Sequence, residues 1–163
     1  MIEKLGNEYR AFSKTENHGR GIAFAKYKNL GAYCAVLAEV EATHEVRVKR
    51  LAIAVDAGLA VNPDGLSNQV EGGAIQAASW ALKEAVRPGM QTWEDYPILK
   101  FSEAPRVEVF ILNNDSPSVG AGECATGPTG AAIANALYDA LGVRVRDLPL
   151  TPDRIVKAME QSG

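Results

Sequence analysis

Glu123 is the one carboxylate inside a glycine-rich run, residues 118–132, SVGAGECATGPTGAA. Gly120, Gly122, Gly127 and Gly130 permit sharp turns and let backbone N–H groups come close to a ligand. A helix expected from near Pro128 would present unsatisfied N–H groups and positive potential at the same end. A carboxylate held there, beside a reacting group and shielded from water, can take a proton. Two other readings of the same residues stand beside that one. Glu123 can cap the helix or sit on a solvated loop, and the glycines can cradle a phosphate. No GK[ST] follows, and Gly120 and Gly122 with Cys124-Ala125 make no GxGxxG, so neither a P-loop nor a dinucleotide fingerprint is present.

A second run, residues 61–73, VNPDGLSNQVEGG, carries Gln69. Its amide both donates and accepts, so it suits the oxo group or pterin edge of a cofactor. Taken alone, Gln69 reads as a surface residue of an amphipathic helix, and Glu71 as a helix-surface acid. His18 and His44 are too far apart for a ligand pair and are expected to be exposed in loop or turn. Trp80 and Trp93 are expected in the core or in helix packing, and Glu39, Glu41 and Glu45 along a solvated strand edge. Cys34 and Cys124 form no CxxC, which argues against a zinc ribbon, a thioredoxin-like motif or a disulfide scaffold.

The elements that position these runs follow from periodicity. Residues 1–20 read as a short helix followed by loop. Residues 21–28 form a strand with Ile22, Phe24 and Lys26 on one face. Residues 32–42 and 46–55 form an antiparallel pair joined at Thr43, His44 and Glu45; the second turns wholly apolar at LAIAV, as a pair that becomes more deeply buried at its end does. Asn62 and Pro63 start a helix over about 64–85 as N-cap and first helical residue. Its small residues, from Gly72 to Ser79, would let it approach a neighbour or ligand closely. Residues 106–112 form another strand. A second main helix runs from about Pro128 to Leu141, with Gly142 as its C-cap. Thr151-Pro152-Asp153 opens a short last helix. Strands, helix, strand, helix with hairpin signals give an α+β fold, an antiparallel or mixed sheet packed with two main helices. Residues 1–18 read as an N-terminal remnant or linker, and 19–163 as the domain.

The chain has 163 residues, 47% of them hydrophobic, and a net charge of −3. That suits one domain with a real core and lacks the basic face that nucleic acid requires. No apolar stretch approaches the length of a membrane span, and the first 20 residues lack the apolar core of a signal peptide.

Together, VDAGLAVNPDGLSNQVEGGAIQAASWAL and VGAGECATGPTGAAIANALYDALGVRVRDLPLTPDRIV resemble the C-terminal portion of the molybdenum-cofactor-binding subunit of xanthine dehydrogenase/aldehyde oxidase-type hydroxylases. The likeness is greatest to the beta subunits of isoquinoline 1-oxidoreductases and covers roughly residues 19–160. The resemblance implies the fold of the C-terminal molybdopterin-binding domain. It also implies that Glu123 is the catalytic base beside molybdenum, acting as an electron-poor carbon of an aldehyde or N-heterocycle is hydroxylated. Gln69, Gly120, Gly122, Cys124, Thr126, Gly127 and Thr129 fall where the family contacts the molybdenum-pterin cofactor; none is assigned as a metal ligand. Many family members have proline where Cys124 stands; the thiol is read as inert. The partners implied are the remainder of the molybdopterin-binding subunit, or a subunit supplying it, and an iron–sulfur subunit. The family's subunit is several times longer, so the chain reads as a C-terminal fragment, a separately encoded piece or a degenerate product. The isolated chain is expected to bind no cofactor and to turn nothing over. A non-catalytic interaction domain, self-associating into a homo-oligomer, is the alternative. The compartment, cytoplasm or periplasm, stays open.

Overall fold

The computed structural model describes residues 2–11, 15–28 and 31–162. Helix α1 (Ile2–Ala11) leads to β1 (His18–Lys26), β2 (Tyr33–Ala42) and β3 (Val46–Asp56). Helix α2 (Pro63–Leu82), a single 3-10 turn at Phe101–Glu103 and β4 (Arg106–Ile111) follow, then α3 (Thr126–Leu141) and α4 (Pro152–Ser162). The sheet order is β1-β2-β3-β4; the first three strands form an antiparallel meander, and β4 lies parallel to β3 after the crossover through α2. The mixed α+β architecture expected from the sequence is the one observed.

Alternation along β2 and β3 divides the core in two. Cys34, Val36, Ala38, Leu51, Ile53 and Val55 face the helical layer and pack with Val70, Ala74 and Ala78 of α2 and Ile133, Ala136 and Leu137 of α3. Ala35, Leu37, Ala52 and Ala54 face the other way, and Leu5 of α1, fully buried, covers them. Each such leucine or isoleucine contributes about 1.5–3 kcal/mol by leaving water. Cover on both faces is why LAIAV has no polar alternate.

Asn62 caps α2 by accepting from Gly65 N at 3.0 Å, with Pro63 next. The helix stops at Leu82, short of the expected Ala85, because Ser79 O accepts from both Lys83 N (2.9 Å) and Glu84 N (3.2 Å) and closes the last turn. Gly142, at φ 72°, ends α3 as expected.

The closest backbone approach is not on α2. A Cβ on Gly72 would meet nothing within 4 Å, and one on Gly73 only Thr126 Oγ1 at 3.9 Å. Close contact occurs instead on β1, where a Cβ on Gly19 would lie 2.1 Å from Ala136 O and one on Gly21 2.2 Å from Ala136 N. Helix α3 therefore rests directly on the β1 backbone.

Other expectations are corrected. Trp80 and Trp93 are exposed, at 43% and 87%, rather than in the core; Trp93 meets Tyr96 edge-on in the loop after α2. His18 is half-buried and begins β1 opposite Glu41, while His44 is exposed in the hairpin turn. Glu39 is no solvated edge, because β2 is an interior strand. It joins Glu8 and Glu108 around Arg50, at 3.0, 2.7 and 2.5 Å, tying α1, β2, β3 and β4 together. Among the described residues, no helix is long and apolar enough to cross a membrane.

Candidate functional site

The β4–α3 connection is held from below by the segment that follows β3. Asp56 Oδ1 accepts from Gly58 N (3.0 Å) and Asn114 Nδ2 (2.9 Å). Leu59 N donates to Ser116 O at 2.9 Å, Val119 N to Ala57 O at 3.0 Å, and Ala60 N to Asn113 Oδ1 at 2.9 Å. Gly58 has φ 69°, and a Cβ there would lie 2.3 Å from Pro117 O, so the crossing needs glycine on both counts.

From that base the loop climbs into α3 through two tight turns, Cys124 N to Ala121 O (3.0 Å) and Thr126 N to Glu123 O (3.1 Å). These turns start the helix at Thr126, earlier than Pro128. Its N-cap, Ala125, has no side chain able to accept, and no acid lies in the first turn. The electropositive end of α3 is thus left without a side-chain cap.

Glu123 stands exposed on the crest. The Tyr27 hydroxyl donates to its Oε2, and this bond holds the carboxyl below the usual carboxylate range. Its own N–H acts in the same direction, desolvation opposes, and the Lys28 ammonium adds a lesser pull downward. Gln69 Nε2 donates to Gly122 O at 2.8 Å, so the amide of α2 steadies the residue before the glutamate. Ala32 N donates to Gly120 O at 3.1 Å, fastening the loop to the start of β2.

The structure thus brings Gln69, Gly120, Gly122, Glu123 and Thr126 into one neighbourhood, with Gly127 exposed at the first turn of α3. Thr129 is placed differently: it is fully buried, and its hydroxyl has no hydrogen-bond partner among the described residues. Cys124 is buried too, in the same core cluster as Cys34. Sequence reasoning does not pick out Tyr27, Lys28 or Cys34. Nothing in spacing marks Tyr27, whereas Cys34 lies on the inward face of β2, the face that α3 covers. A cavity of about 590 Å³, lined by Glu84, Met90, Trp93 and Tyr96, opens beyond the end of α2 and includes none of the expected site residues.

Molybdopterin cofactor-binding domain is the family description that matches, over residues 3–105. A nicotinate dehydrogenase subunit of Pseudomonas putida is 41% identical to this chain, over 89% of it and 14% of the relative. The beta subunit of isoquinoline 1-oxidoreductase from Brevundimonas diminuta is 33% identical, over 88% of this chain and 19% of the relative. Among solved structures, the aldehyde oxidoreductase of Desulfovibrio desulfuricans superposes with a TM-score of 0.71 and 28% identity, over 78% of this chain and 15% of its own. Quinoline 2-oxidoreductase of Pseudomonas putida 86 superposes with a TM-score of 0.68 and 28% identity, over 80% and 18%. The chain therefore spans less than a fifth of each of these proteins.

Proposed function

The chain belongs to the molybdopterin cofactor-binding domain family, and on that premise we propose that it serves a molybdenum-dependent hydroxylase acting on aldehydes or N-heterocycles, with Glu123 as the catalytic base. The observation that carries this reading is the setting of Glu123. It is an exposed carboxylate fixed at Oε2 by Tyr27, on a loop secured by Gln69 and Ala32, at the foot of a helix with no side-chain cap.

The residues present fit a pterin cofactor. Gly120, Gly127 and Gly130 leave open space where side chains would stand, and Gly127, exposed in the first turn of α3, offers its N–H to an electron-rich ligand. Gln69, Thr126 and Gly127 would hold it there. When bound, the cofactor supplies an electron-accepting metal centre and an acidified oxygen ligand. Glu123 supplies the base. As a carboxylate below its usual range it is ionised at neutral pH, which is the form a base requires. Tyr27 fixes its direction, and Gln69 sets the height of the loop.

The other partners follow from the same reading. The remainder of the cofactor subunit supplies the opposite wall of the pocket, and an iron–sulfur subunit carries the electrons away. Native mass spectrometry with metal analysis, on the chain alone and with the subunits encoded beside it, tests this. The expected result is a metal-free chain that gains molybdenum only in the assembly. Glu123→Gln should then lower turnover by about 10²–10⁴-fold and leave molybdenum content unchanged. An assembly that takes up no molybdenum, or a variant that turns over normally, overturns the proposal.

A second reading, a non-catalytic interaction domain, draws on the segment between α2 and β4, where Val86, Trp93, Ile98 and Phe101 are all exposed. A mass that rises with concentration and never recruits molybdenum would favour it.

A further inference from the structure

The sheet ends on one side at β1 and on the other at β4, and the two edges are finished differently. On β1, Tyr27 N donates to Ala32 O at 2.7 Å and Asn17 O accepts from Ala42 N at 2.8 Å, so the odd-numbered residues bond to β2. Arg20 and Ile22 therefore turn their backbone groups outward. Helix α3 closes that edge: Asp139 accepts from Arg20 N and Asn135 Nδ2 donates to Ile22 O, each at 3.0 Å.

Nothing comparable closes β4. Leu112 N donates to Val55 O at 2.8 Å, and the parallel register sets Ile111 beside Val55 and Val109 beside Ile53. Glu108, Phe110 and Leu112 thus face β3, and the N–H and C=O groups of Val107, Val109 and Ile111 point away from the sheet. Among the described residues no hydrogen bond reaches them. Proteins commonly shield an edge with proline, lysine or a bulge. None interrupts Arg106–Ile111. The charges of β4 are spent within the sheet, Glu108 on Arg50 and Arg106 on Glu108. The other residues are apolar and only half-buried, whereas Leu51, Ile53 and Val55 alongside them are fully buried. The strand has the composition of an interior strand in the position of an edge.

We infer that the open edge of β4 is a docking site for a β-strand from the remainder of the molybdopterin-binding subunit, which continues the sheet. The inference rests on the proposed function. The occupant follows from length: the matched part is 14% of the nicotinate dehydrogenase subunit and 19% of the isoquinoline 1-oxidoreductase subunit, so most of each relative lies outside it. Backbone bonds to Val107, Val109 and Ile111 would hold the added strand. Its alternate side chains would finish the burial of those three on the helical side and of Phe110 on the other. Because β4 runs on into the loop that carries Glu123, the added strand also braces the sheet from which that loop rises.

The test compares amide exchange, resolved by residue, in the chain alone and in its assembly with the remainder of the subunit. In the chain alone, Glu108, Phe110 and Leu112 should exchange slowly and Val107, Val109 and Ile111 fast. In the assembly the second set should slow by about tenfold or more. Val109→Pro puts its ring where the outward N–H stood and spares the bonds to β3, so it should fold yet bind the remainder about tenfold or more weakly. Val109→Ala trims packing but keeps the N–H and should bind nearly as the parent does. Unchanged exchange at the three amides on assembly, normal binding by Val109→Pro, or equal weakening by both variants overturns the site. Protection that rises with the concentration of the chain alone assigns the edge to a second copy and overturns the occupant. If Val109→Pro does not fold, the exchange pattern of the unaltered chain decides. An assembly that takes up molybdenum with these amides unprotected overturns this inference alone; one that protects them and takes up no molybdenum overturns the proposed function alone.

Discussion

The Tyr27 hydroxyl donates to Glu123 Oε2, joining the end of the first strand to the crest of the β4–α3 loop. No other side chain on the strand side of the site is bonded to this carboxylate among the described residues. The contact sets both where the carboxylate points and when it is charged.

Tyr27→Phe should therefore raise the Glu123 pKa toward the ordinary carboxylate value. A depressed folded pKa contributes stability that is present above the unfolded value and lost as pH falls through the folded one. The variant should be the less stable protein at neutral pH and equal the parent in acid. Carboxyl carbon NMR titration of Glu123 reads the shift directly. A curve that coincides with the parent's would mean that the hydroxyl does not hold the carboxylate in solution.

Two glycine-to-alanine exchanges should move stability in opposite directions. At Gly21 the new methyl would meet Ala136 N at 2.2 Å and Ala132 O at 2.3 Å, both backbone atoms. Helix α3 must shift, at a cost of about 1–3 kcal/mol or more. At Gly72, exposed in mid-helix with nothing within 4 Å, alanine should add about 0.5–1 kcal/mol. Urea denaturation of both variants checks the sign, and equal midpoints would contradict the seating of α3 on β1.

Arg50→Met removes the cation shared by Glu8, Glu39 and Glu108, whose ion pair with Arg50 holds the Glu108 carboxyl below its usual range. The network is only partly exposed, so the loss at neutral pH should be about 2 kcal/mol, between an exposed and a fully buried pair. Because the Glu108 pKa is depressed, this contribution disappears as pH falls below about 4. Unfolding midpoints should therefore converge in acid; a gap that stays constant with pH would point to lost packing instead.

Thr129→Val replaces a buried hydroxyl that has no partner by a methyl of the same shape. The chain should gain up to about 1 kcal/mol. In the assembled enzyme, if the hydroxyl is kept for the cofactor, molybdenum retention should fall while the fold gains. Thermal unfolding and metal content, measured on the same preparation, separate the two effects.

Much of the fold is legible because burial writes itself into period. The alternation of β2, the apolar LAIAV of β3, Asn62-Pro63 at the start of α2 and Gly142 at the end of α3 each have a local cause. The glycine loop with Glu123 and the helix carrying Gln69 are legible as motifs. What escapes the sequence depends on distance across the fold. Trp93 has the composition of a core residue, yet the turn Thr92–Asp95 sends it outward. Glu39 looks solvated until β4 arrives beside β3 and brings Glu108 to the same arginine. Tyr27 touches the site through a contact that no spacing encodes, and the glycines that matter for close approach are on β1 rather than α2.

Gly19 and Gly21 lie under α3, the helix whose first turn follows Glu123, on the strand whose far end leads to Tyr27. They act as a spacer of zero thickness. Any side chain there would lift the helix by more than the few tenths of an ångström that a hydrogen bond tolerates, and the hydroxyl and carboxylate would part. In a saturation screen that selects for turnover, both positions would score as intolerant beside Glu123, although neither touches a reacting atom. A map drawn from such a screen would extend the site along the whole of β1, and the extension would measure the height of a helix rather than the reach of the chemistry.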